Sequence, residues 1–199
     1  MIIPSEIIKK SYSYNSYRAL IDNLLLEGKV TGPEQSEDLT HYTTLNVHRM
    51  NRVDKTSSIS EELMAVLAQI KTPQTWLVIS EGWCGDAAQI VPFFHVIEKQ
   101  FSSINVKIVL RDENLELMDQ FLTNGGRAIP KLLILDQASN QLLAHWGPRP
   151  AEAQALINGL KSANANMDEI KEKLHLWYAK NKGKALQEEL VEMLERFTT

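Results

Sequence analysis

Cys84 is the only cysteine among 199 residues, and it stands in Gly82-Trp83-Cys84-Gly85-Asp86-Ala87, just after the apolar run Trp76-Leu77-Val78-Ile79. That order reads as a strand, a tight glycine-containing turn and a cysteine opening a helix. First-turn N–H groups and the helix dipole stabilise a thiolate in such a place, and a thiolate attacks disulfides to form a mixed disulfide. Ala87 occupies the position where a dithiol motif carries its second cysteine. One thiol can open a disulfide, but no internal disulfide can then close. The pKa of Cys84 is expected below the free value of about 8.5. Asp86 opposes this, by about 1 kcal/mol if both groups face solvent.

The neighbouring residues admit two roles each. Asp86 is either a proton shuttle or substrate-facing charge, or a carboxylate complementing the helix dipole. Trp83 either offers an apolar contact to a partner or packs across the turn. The five histidines (His41, His48, His95, His145 and His175) show no metal-binding spacing, and a lone cysteine excludes both an intramolecular disulfide and an all-cysteine metal site. No metal and no cofactor are expected. A net charge of -4 gives no electrostatic case for nucleic acid or an anionic membrane. No apolar run approaches the roughly 20 residues of a membrane span. The start, Met1-Ile2-Ile3-Pro4-Ser5-Glu6, is expected to be no signal peptide. These features point to the cytoplasm, where a lone thiol stays reduced.

The elements that must hold this thiol follow from periodicity. Tyr17, Leu20, Ile21, Leu24 and Leu25 recur at helical spacing, and a looser helix runs through Tyr42, Leu45 and Met50. Ser58 with Glu61 reads as a capping box before the stripe Ile59, Leu63, Val66, Leu67 and Ile70. Thr75 to Ser80 predicts a buried strand, and Cys84 to about Phe101 a helix kinked at Pro92. Val106 to Leu110 is a second strand, followed by a short helix ended by Asn124-Gly125-Gly126. Leu132 to Leu135 and Leu142 to Trp146 make a hairpin, and Ala153, Leu156, Ile157 and Leu160 face inward from a closing helix. Beyond Asn164, Asn166 with Glu169 caps a helix bearing Ile170, Leu174, Trp177 and Tyr178. A last stripe holds Leu186, Leu190, Met193, Leu194 and Phe197. The aromatic tail is expected to pack on the domain or on a second subunit, as in a homodimer.

The β-α-β-α-β-β-α block resembles the thioredoxin fold: an α/β domain with a central mixed sheet flanked by helices, here with added N- and C-terminal helices. The resemblance rests on Trp83-Cys84-Gly85, on Pro92 eight residues after the cysteine, on Gly125-Gly126-Arg127-Ala128-Ile129-Pro130 leading into a strand, and on Trp146-Gly147. With Arg111-Asp112-Glu113-Asn114 and Trp146-Gly147-Pro148-Arg149-Pro150, it is similar to a bacterial thioredoxin-like subfamily with a single-cysteine Trp-Cys-Gly-Asp-Ala motif. It implies a domain over 58–163, an N-terminal helical extension over 1–57 and a C-terminal one over 164–199. It implies that Pro130 is a cis-proline whose neighbouring backbone pairs with a bound peptide or thiol opposite Cys84. It also marks two departures: Ala87 replaces the resolving cysteine, and Val78 stands where thioredoxins keep a buried carboxylate that serves that second thiol.

Three functions fit. In the first, a monothiol disulfide oxidoreductase acts through Cys84, with Trp83, Gly85, Asp86, Ile129 and Pro130 binding a protein or low-molecular-weight thiol or disulfide. Arg127 and Lys131, beside the proline, either attract an anionic thiol such as glutathione or are merely solvated. In the second, the fold persists as a redox-degenerate binding module without catalysis. In the third, Cys84 is a peroxidatic thiol resolved externally, though no Thr or Arg stands close in sequence to activate a peroxide.

Overall fold

Strand alternation decides which layer each residue serves. In the computed structural model, which describes residues 1–198, β1 (Gln74–Ser80) is buried along its whole length, so both faces of the sheet are covered. It pairs in parallel with β2 (Ile104–Leu110) and antiparallel with β3 (Lys131–Asp136), which pairs antiparallel with β4 (Leu142–Trp146), giving the order β2-β1-β3-β4. Trp76 faces Val106 on one side and Ile134 on the other, so the register brings alternate side chains of three strands to one face.

That face, with Trp76, Val78, Val106, Ile108, Leu132 and Ile134, packs on α5 (Ala87–Glu98). Helices α2 (Tyr14–Leu26), α3 (Glu37–Thr56), α4 (Glu61–Leu67) and α7 (Ala151–Ser162) add to the same core, as do α8 (Met167–Asn181) and α9 (Lys184–Thr198). Phe94 sits edge-on to both Trp76 and Trp146, with ring centroids 5.7 and 6.4 Å apart, contacts worth about 0.5–1.5 kcal/mol each beyond area burial. The opposite face, with Leu77, Ile79, Val109, Leu133 and Leu135, is covered by Ile3, Leu117, Met118, Phe121 and Ile129. Leu117 and Met118 lie on α6 (Leu115–Met118), and Phe121 on the 3-10 turn after it. The expected mixed α/β, thioredoxin-like fold with helices added at both ends is the one observed.

Two local expectations are corrected, and two features were not expected. The cap of α4 is Ser60, whose side chain accepts the Leu63 amide at 3.2 Å, because Ser60 and not Ser58 holds the extended backbone immediately before the helix. The active-site helix begins at Ala87 and ends at Glu98, shorter than the stretch from Cys84 to Phe101. A six-residue helix, α1 (Ser5–Lys10), precedes the first one expected; it buries no residue fully and has too few turns for a periodic signal. The segment around it also pairs with the sheet. Ile3 donates its amide to the Asn140 carbonyl and Leu142 donates to Met1 beside β4, while Tyr12 exchanges two 2.8 Å hydrogen bonds with Ile108 on β2. Asn166 caps α8 as expected, accepting the Glu169 amide at 2.9 Å. The side chain of Phe197 lies outside the described residues. Among the described residues, no helix is long and apolar enough to cross a membrane.

Candidate active site

The turn carrying Cys84 is fastened mostly by the N-terminal extension. Gly82 donates its amide to Thr31 Oγ1 at 2.9 Å, and Asn46 Nδ2, on α3, donates to the Gly82 carbonyl at 3.0 Å. Trp83 Nε1 donates to the Thr31 carbonyl at 3.1 Å, and the Arg111 guanidinium lies 4.7 Å from the Trp83 ring centroid. Trp83 is therefore pinned across the turn rather than held out for a partner. Below it, Tyr17 of α2 reaches Ser80 at the end of β1, hydroxyl to hydroxyl, at 3.1 Å.

Cys84 does not open the helix; it sits three residues before it. Its carbonyl accepts the Ala88 amide at 3.1 Å, and its sulfur faces the backbone amides of Asp86 and Ala87. Sequence reasoning placed the thiol among helix-start amides, and there it lies. Across from it, Cys84 Sγ donates to the Ile129 carbonyl at 3.3 Å. The Ile129–Pro130 peptide bond is cis, as is Gly147–Pro148. Lys131 is buried, with Nζ donating to the Gly147 carbonyl at 2.8 Å and its pKa lowered by desolvation; it is not a solvated charge beside the site. Arg127 is exposed and forks onto Asp119 at 2.6 and 2.9 Å.

The expected depression of the Cys84 pKa is overturned. Burial pushes the thiol up to about 12, and the Asp86 carboxylate adds to this; the Ala87 and Asp86 amides and the Arg149 guanidinium pull the other way. Near pH 7 a pKa of about 12 leaves roughly one thiolate in 10⁵ molecules. Desolvation is the larger effect although Cys84 is only half-buried, because the packed turn around the sulfur removes much of its water.

Asp86 is only 6% exposed and fully engaged. Arg149 forks onto its Oδ2 from Nε at 3.1 Å and Nη2 at 2.5 Å, and the Tyr178 hydroxyl donates to Oδ1 at 2.6 Å. Gly85 lies against His175 of α8, so closely that a Cβ there would stand 2.8 Å from Cε1. The three residues that tie α8 and its neighbour to the motif, Arg149, His175 and Tyr178, were not assigned to the site from sequence. Arg149 and Tyr178 carried a weak signal, as part of a shared motif and an aromatic stripe.

A buried carboxylate is present, but it is Glu81, three residues before the cysteine, and not at Val78, which is apolar core. Glu81 is wholly buried and accepts the Asp112 amide at 3.0 Å; burial raises its pKa, against hydrogen bonds from Thr31 and that amide. Beside the motif a cleft of about 570 Å³ opens between α3 and α8. Trp83, Gly85 and Asp86 border it, with Tyr42, Leu174 and His175 around them.

Comparison with known proteins agrees with this architecture. The whole chain is similar in fold to a protein of unknown function, PA1234, from Pseudomonas aeruginosa (TM-score 0.63, 16% identity, 98% of each chain). It is also similar to the HIV epitope-scaffold 4E10_S0 (TM-score 0.55, 18% identity, 92% of this chain and 98% of the other). No curated protein matches the chain. At these identities the two structures speak to the fold alone, extensions included. The family model described as Thioredoxin matches residues 32–170, from within the N-terminal extension to the first turn of α8, and the chain belongs to that thioredoxin family.

Proposed function

We propose that this protein is a monothiol member of the family, of the single-cysteine bacterial kind, and exchanges disulfides through Cys84 in a reducing cytoplasm. The observation that carries the reading is the placement of the Cys84 sulfur. It lies 3.3 Å from the Ile129 carbonyl and faces the amides of Asp86 and Ala87, where a thiolate or a mixed disulfide would find donors. The Cys84 thiolate attacks one sulfur of a disulfide, the S–S bond breaks, and the departing thiolate takes up a proton. The mixed disulfide so formed is opened by an external thiol, because Ala87 supplies no second sulfur. That thiol, as its thiolate, bonds to the substrate sulfur and releases Cys84 as the thiolate. Ile129 and Pro130 would line the acceptor side, and Trp83 and Gly85 would shape the turn. Asp86, with both oxygens engaged, positions the turn and does not bind substrate. The substrate would be a protein or small disulfide.

The test is formation of a Cys84 adduct with a small symmetric disulfide, read by intact-protein mass spectrometry, and its release by added thiol. Wild type should gain and lose the adduct, and Cys84→Ser should gain none. A wild type that never forms it, even after prolonged exposure, would sink the reading. One observation favours the alternative of a binding module without catalysis: the resting thiol is hydrogen-bonded and protonated, with its pKa raised to about 12. Under that reading Cys84→Ser retains every partner that wild type captures.

A further inference from the structure

We propose that the hollow between the C-terminal ends of α3 and α8 binds a small organic anion, a monocarboxylate with an aromatic body, at a site separate from the thiol. The inference does not depend on disulfide exchange, since Cys84, Ile129 and Pro130 take no part in its walls.

Local structure leaves the space open. Helix α8 ends at Asn181, and Lys182 and Gly183, both left-handed (φ 53° and 82°), turn the chain into α9. Ala179 and Gly183 stand on the wall and carry too little side chain to fill it. The cavity that results is about 340 Å³, within the size range of small-molecule sites. Val53 of α3, Ile90 and Phe93 of α5, Trp177 of α8 and Leu186 of α9 give it apolar walls. Of these five, only Trp177 is more than slightly exposed. A planar apolar ligand covering that indole removes apolar surface from water, which drives binding.

The charged side chains on these walls have one sign. Arg52 and Lys182 line the cavity, and no carboxylate does. The cleft beside the motif differs, since Glu34, Asp38 and Asp86 stand there among the cations. Arg18, Arg111, Arg127 and Arg149 each hold an aspartate. Arg52 instead donates from Nη2 to the neutral Gln89 Oε1 at 2.8 Å. Among the described residues, neither Arg52 nor Lys182 forms an ion pair, so the rest of the guanidinium fork is free to grip a carboxylate. Two helix C-termini meet here and oppose an anion with about half a negative charge each. Part of that is satisfied internally, because the Val53 and Tyr178 carbonyls accept the Ser57 and Lys182 amides, each at 3.0 Å. Two full positive charges therefore leave a surplus of about one, which matches a monoanion. Asn181, also on the wall, accepts the Ala185 amide through Oδ1 at 3.0 Å, which leaves its Nδ2 as a further donor.

The test uses the full chain and three probes of one shape: phenylacetate, the neutral phenylacetamide and 2-phenylethylammonium. Binding is read near neutral pH by calorimetry and by ligand-observed NMR, and each variant is checked for a cooperative melt. Phenylacetate should bind tightest and the ammonium weakest. Arg52→Gln should weaken phenylacetate by roughly tenfold to a hundredfold, as expected for loss of a charge-assisted hydrogen bond, and leave phenylacetamide nearly unchanged. Lys182→Asn, which suits the left-handed backbone, should weaken phenylacetate in the same direction. Ala179→Leu keeps a strong helix former on α8 and fills the cavity, so it should abolish binding of acid and amide alike. Cys84→Ser should bind phenylacetate as wild type does, so this site stands or falls apart from disulfide exchange. The proposal is overturned by any of three results: no saturable phenylacetate binding at millimolar concentration, equal binding of acid and ammonium, or an affinity for the acid that ignores both Arg52→Gln and Ala179→Leu.

Discussion

Burial and hydrogen bonding pull the Cys84 thiol in opposite directions, and burial is the larger effect. The amides of Asp86 and Ala87 favour a thiolate, but desolvation and the nearby Asp86 carboxylate carry the pKa up to about 12. The native state therefore prefers the protonated thiol, whereas an unfolded chain ionises near the ordinary value of 9.0. The stability linked to this group is complete below about pH 9 and is lost as pH rises toward 12. Urea unfolding of wild type and Cys84→Ser across that range should show the wild type losing stability more steeply; parallel curves would contradict the burial. Gly147 is the second sensitive residue. At φ 113° a side chain is strained, and a Cβ would stand 2.4 Å from the Pro130 carbonyl oxygen. Gly147→Ala should cost roughly 2 kcal/mol or more, read as a fall in the denaturation midpoint, and should shift the Cys84 alkylation rate because Pro130 and Ile129 share the displaced backbone.

At the scale of elements, α8 packs on the motif, with His175 against Gly85 and Tyr178 bonded to Asp86. His175 carries its own pH dependence. Burial first, then the positive charges of Arg49 and Arg52, lower its pKa from 6.5 to about 4, and Gln89 is its polar neighbour. A folded-state pKa below the unfolded one gives stability that is present above pH 6.5 and lost as pH falls through about 4. Hydrogen exchange across α8 should accelerate over that window once intrinsic rates are removed, and His175→Gln should flatten the effect. An α8 indifferent to pH over that window would show that the imidazole is not held neutral by its surroundings. The strands and most helices were legible from sequence because their signals are local. The four buried apolar residues of β1 need no partner to be recognised, and Asn166 with Glu169 marks a cap by chemistry alone. The position of α8 over Gly85 and Asp86 leaves no such mark, since His175 lies 90 residues from Gly85 in the chain.

Across the whole molecule, the N-terminal segment binds both edges of the sheet, through Met1 and Ile3 beside β4 and through Tyr12 on β2. Exposed edges template association between chains. Removing residues 1–12 also strips the buried Ile3 side chain, whose burial is worth roughly 1.5–3 kcal/mol. The truncated protein should melt several degrees lower and aggregate in light scattering; an unchanged melt and a monodisperse monomer would refute this role. Sequence alone determined the chemistry available: one thiol, no partner cysteine at Ala87, and a strand-turn-helix setting with a proline-led strand nearby. Those follow from residue type and short-range periodicity. Tertiary structure alone decided how that chemistry is held. It placed the sulfur against the Ile129 carbonyl, closed Asp86 with Arg149 and Tyr178, and laid α8 on Gly85. A thiol's ionisation answers to the solvent it has lost, and that loss comes from segments distant in sequence that packing brings to Cys84.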